Sequence, residues 1–113
     1  MPINPLKEKL TEIGRPIAER VLSIDGSDEA VHVRLGEPLP FPDGQDWYCP
    51  YEVVCGTNRK VRFAAGVDSM QALQLAFLGI ATEVWVLNRD LKSELRWLGE
   101  TQLGFTNGDG EKF

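Results

Sequence analysis

An aspartate at position 68, followed three residues later by Gln71, marks the start of a long helix that constrains everything else in the chain. The pair has capping-box spacing, with a side-chain acceptor at the N-cap and an amide at the third helical position. Met70, Leu73, Phe77, Ile80, Val84, Leu87 and Leu91 then recur at steps of three and four. That spacing keeps them on one side of about six turns, and so wide an apolar face must lie on something. Val84-Trp85-Val86-Leu87 are β-formers in a row, but the stripe runs through to Leu91 and favours helix there.

The segments before Asp68 supply what the helix must cover. Residues 17–24 mix apolar and charged types, Asp25-Gly26-Ser27-Asp28 has turn composition, and Val31, Val33 and Leu35 alternate with His32 and Arg34. This predicts a hairpin. Pro38, Pro40 and Pro42 make residues 36–46 a stiff loop. Residues 47–55 alternate again; Pro50, which has no N–H to donate, predicts an edge strand or a bulge. After a turn at Gly56-Thr57-Asn58, residues 60–65 form a fourth strand. The expected fold is therefore α+β: an antiparallel meander of about four strands against one long helix. Asn4-Pro5 predicts a short N-terminal helix with Leu6, Leu10 and Ile13 on one side, ended by Gly14 and Pro16. The chain reads as a single domain, 1–113, with a frayed tail from 104.

The far side of the helix is not polar. Leu75, Leu78, Trp85 and Val86 point away from the main stripe and need a cover. Either the chain's own ends, through Leu6, Leu10 and Ile13 or Leu95, Trp97 and Phe105, fold over them, or they form a protein interface, such as a homo-oligomer contact through Leu75, Leu78 and Trp85.

Charge narrows the choice of partner. The chain carries −5 overall, and residues 25–52 hold seven carboxylates against Arg34 alone. This balance excludes nucleic-acid binding through a basic patch. It makes Asp25, Asp28, Glu29, Glu37, Asp43 and Asp46 a candidate docking surface for a basic protein, with Trp47 or Tyr48 as an aromatic anchor. No stretch is apolar enough for a membrane span, because Gln74, Thr82 and Glu83 interrupt the most apolar one, and the N-terminal residues lack a signal-peptide core. A cytoplasmic protein is expected.

Cys49 and Cys55 share a strand face roughly 20 Å apart at about 3.3 Å per residue, too far for a disulfide, so both are expected as free thiols in a reducing compartment. With His32 the only histidine, no metal site is expected. The sequence contains no nucleophile–base pair, dinucleotide fingerprint or P-loop, so no catalytic residue and no cofactor is assigned. A minimal enzyme site would have to join His32, Asp46 and Cys49.

Two motifs complete the reading. Trp47-Tyr48-Cys49-Pro50-Tyr51 and Gly66-Val67-Asp68-Ser69-Met70-Gln71-Ala72-Leu73 together resemble a family of small uncharacterised bacterial proteins with a Trp-x-Cys-Pro-aromatic strand ahead of a Gly-x-Asp-Ser-x-Gln-Ala-Leu helix start. The resemblance implies no activity. In size, acidity and architecture such domains are similar to immunity proteins, which bind and neutralise a toxin domain. By that analogy a non-catalytic inhibitor of a basic toxin domain is the leading expectation, with a homo-oligomeric accessory domain second.

Overall fold

In a computed structural model, which describes residues 3–42 and 44–112, the chain is α+β. Strands β1 (Pro16–Ile24), β2 (Ala30–Gly36), β4 (Trp47–Cys55) and β5 (Asn58–Gly66) form the expected antiparallel meander. Two further strands of two residues each, β3 (Leu39–Pro40) and β6 (Leu95–Arg96), bring the sheet to six among the described residues. Both are too short to leave a period-two signal, which is why four were expected.

Pro50 sits in an interior strand, contrary to expectation. β5 takes the whole of one side of β4, while β2 and β3 share the other. β2 pairing ends at Leu35–Tyr51 and β3 pairing begins at Leu39–Tyr48. Pro50 falls in the gap between them, where a missing N–H costs no ladder bond.

Helix α1 (Ser69–Asp90) runs through residues 83–88 without a break. Asp68 caps it, accepting from the Gln71 N–H at 2.7 Å. The Gln71 side chain returns the favour one residue earlier than in the usual box, accepting from the Val67 N–H at 2.8 Å. The face laid on the sheet is rotated from the expected one, keeping Ile80 and Val84 at its centre but losing Met70 and Phe77. Ala72, Ala76, Ile80, Ala81 and Val84 are buried; Leu73, Leu87 and Leu91 pack at their flank; Met70 and Phe77 are exposed. Small side chains explain the rotation, since they let the helix axis approach the strands more closely than a row of large ones would.

The N-terminal segment makes a single turn, with Lys7 and Glu8 N–H groups on Asn4 O, and continues as extended coil rather than as a helix. Nine residues from Pro5 to Ile13 are too few to repay helix nucleation unless packing favours it. Here packing favours the extended form: Leu10 and Ile13 are buried on the sheet face away from α1, with Ile13 against Gly36. The C-terminal segment returns to the helix side of the sheet, and Phe105 holds there the start of the tail that was expected to fray from 104. The segment buries Leu95, Leu103 and Phe105 in the main core beside Leu22, Ile24 and Val31. Contrary to expectation, α1 is, among the described residues, long and apolar enough to cross a membrane by length and composition alone, since Gln74, Thr82 and Glu83 are too few to offset its apolar residues. Here it packs on the sheet through Ala72, Ala76, Ile80, Ala81 and Val84.

Candidate protein-binding surfaces

The three residues that a minimal enzyme site would need do not meet. Register places His32 opposite Val54, on the face away from α1. Cys49 is on the helix face, fully buried, and its Sγ donates to Gly36 O at 3.4 Å. Burial pushes this thiol up to about 11. Asp46 is exposed in the loop before β4. Among the described residues no group of three or more His, Cys, Asp or Glu side chains could hold a metal ion. Both cysteines are free thiols, Cys55 being half-buried. An alkylating reagent at neutral pH is therefore expected to label Cys55 in the folded chain and both cysteines after unfolding in urea. A Cys49 adduct in a peptide digest of the folded protein would contradict this assignment.

The acidic residues divide into two groups at opposite ends of the sheet. Asp25, Asp28 and Glu29 are exposed in the β1–β2 turn. Glu94 joins them, because its carbonyl accepts from the Asp25 N–H at 3.0 Å. Arg96 bridges Asp25 at 2.8 Å and Glu94 at 3.3 Å. The Asp25 hydrogen bond, and then its charge, raise the guanidinium pKa. Glu37 and Asp46 lie at the other end, and Asp43 falls outside the described residues. β4 runs between the two ends, roughly 25 Å at about 3.3 Å per residue, so the acidic residues do not form one surface.

Neither aromatic candidate points outward as an anchor. Trp47 is half-buried against the main core. Tyr48 is 5% exposed, its ring 5.0 Å from Phe41 and 6.0 Å from Phe63 in a separate cluster on the face away from α1. Leu75 and Trp85 remain 39% and 49% exposed, and Leu78 is half-buried. The chain's own ends cover them only in part. The described N-terminal residues lie on the opposite face, and among the described tail residues Asn107 and Glu111 line the notch beside Trp85. Arg89 stacks 5.3 Å from that indole.

Two features were not foreseen from the sequence. The first is a ladder of charge across four strands, Glu19–Arg34–Glu52–Arg59, on the sheet face away from α1. Its centre, Glu52, is 4% exposed. Only the strand register brings these residues side by side; the alternation within each strand was the one available signal. The second is that the two sheet edges are unlike. β1 begins at a proline, has a register shift between Pro16 and Ala18, and is closed by β6 at Ser23 and Ile24. β5 pairs with β4 in unbroken register over nine residues and has no partner on its far side among the described residues.

Three close approaches involve the motif residues Gly66, Tyr51 and Pro50. Gly66 lies under the first turn of α1, where a Cβ would overlap the Ala72 nitrogen; Gly79 lies over the Tyr51 hydroxyl; and Pro50 packs beside Gly36. No curated protein and no solved structure matches the chain. A family model matches residues 18–107, most of its length, and the chain belongs to that family, a domain of unknown function (DUF6968).

Proposed function

We propose that the chain is a non-catalytic protein-binding domain whose acidic end, around the β1–β2 turn, receives a basic partner. The observation that carries this reading is the grouping of Asp25, Asp28, Glu29 and Glu94 there, with Asp28 and Glu29 in no ion pair among the described residues. Exposed, unneutralised carboxylates on one end of a small rigid sheet steer a basic protein and set selectivity more than raw affinity. An immunity-like inhibitor of a basic toxin domain is one form of such a protein, by analogy of size and charge. Self-association through Leu75 and Trp85 is the second reading, favoured by their exposure.

The test is capture of partners on the immobilised chain, followed by affinity measurement at low and high salt. Asp28→Lys/Glu29→Lys is expected to weaken binding of a captured basic protein about tenfold or more, a loss of about 1.4 kcal/mol, and to flatten its salt dependence. Equal binding by the variant would sink the acidic-end reading. Light scattering decides the second reading, which a wild-type monomer rules out.

A further inference from the structure

The β5 edge lacks most of the devices that blunt an exposed strand. Sheets protect such edges with bulges, prolines, very short strands or charge. β1 has a proline and a bulge, and β6 closes its end. β5 is nine residues long, regular throughout and free of proline, and no backbone–backbone hydrogen bond reaches it from beyond β4 among the described residues. Charge is its only protection, and all of that charge is positive: Arg59, Lys60 and Arg62.

Two observations set these cations apart from a general edge charge. Lys9 and Thr11, from the N-terminal segment, line a notch of about 230 Å³ with Arg59, Lys60 and Arg62, so a fourth cation from outside the strand joins the same site. Glu52 neutralises Arg59 and Glu83 neutralises Arg62, while Lys9 and Lys60 have no ion pair among the described residues. In a chain of −5 this is a local excess of the opposite sign.

We propose that the free edge of β5 docks an extended acidic segment of a partner protein, which adds to the sheet as a further strand. Main-chain hydrogen bonds supply the affinity in this mode of recognition, and alternate side chains supply the selectivity. Lys60 and Arg62 share the helix side of β5, opposite Val53 and Tyr51, so carboxylates at every second position of the segment meet them. The intervening side chains meet Val61 and Leu10 on the other side, where Lys9 completes the notch. A second copy of the chain is a poor occupant. Two-fold pairing centred on Val61 sets Lys60 of each copy against Arg62 of the other, and centring it on Lys60 or Arg62 opposes identical cations; like charges directly opposite destabilise a strand pair. This surface is distinct from the acidic end and is tested separately.

The probe is a short blocked peptide alternating valine with aspartate, compared with one carrying lysine in place of aspartate. NMR amide exchange of the full chain gives the readout. The aspartate peptide is expected to bind saturably and to slow exchange at edge-facing amides between Asn58 and Gly66, while the lysine peptide leaves them unchanged. Lys9→Glu/Lys60→Glu, both exposed and outside the ion pairs, is expected to weaken binding about tenfold or more. Failure of the aspartate peptide to protect β5, equal binding of the lysine peptide, or protection that rises with protein concentration alone would each overturn the proposal, the last in favour of self-pairing.

Discussion

Gly66→Ala is expected to destabilise the fold by about 2–3 kcal/mol, which for a domain of this size lowers the melting temperature by roughly 10 °C. The cause is space. A methyl group at Gly66 would overlap the Ala72 backbone nitrogen and stand 2.9 Å from the Gln71 carbonyl carbon. Both atoms belong to the capped first turn, which Asp68 and Gln71 hold through reciprocal hydrogen bonds. A flexible side chain could swing away; a capped helix turn can only lift. Lifting it opens the contact that Ala72 and Ala76 make with the sheet, where both are fully buried. Gly108→Ala is the control, because a Cβ there meets nothing within 4 Å. Urea unfolding of the two variants should separate them clearly. A Gly66→Ala midpoint equal to that of wild type would show that the helix does not depend on this close approach.

The same contact explains how much of the fold was legible. Capping chemistry is local, so Asp68 and Gln71 announced the helix start, and period-two alternation announced the four long strands. The helix face is rotated from the expected stripe at Met70 and Phe77, because a hydrophobic stripe weighs them above Ala72 and Ala76, whereas close packing over Gly66 and Gly79 selects the small residues. Leu10 and Ile13, expected on a short helix that could cover the far side of α1, are buried instead on the other face of the sheet. Their conformation depended on a non-local surface, and no periodicity of nine residues could reveal it. The site was less legible for the same reason. Acidic residues only eight positions apart, Glu29 and Glu37, are carried to opposite ends of the sheet by a single strand. The free β5 edge depends on which strand ends the sheet, and that is settled only by pairing.

The second large effect is expected at the charge ladder. Glu52 is 4% exposed, and two cations hold it, Arg59 at 2.6 Å and Arg34 at 3.3 Å. Arg34 also bonds Glu19, whose carboxyl pKa it lowers. Removing the buried acid and removing its partners are not equivalent. Both arginines are about a third or more exposed and can turn to water when Glu52 is lost. Glu52 cannot, and a buried charge stripped of its partners costs about 3–5 kcal/mol. Arg34→Met/Arg59→Met should therefore approach that loss, while either single change costs less because one cation remains. Adding Glu52→Met to the double variant should recover most of the stability, since uncharged side chains of similar volume often replace a buried ion group at little cost. The order of urea midpoints decides the matter. If the triple variant is less stable than the double, the penalty lies in lost arginine packing across the strands, and the buried carboxylate is not the source of the cost.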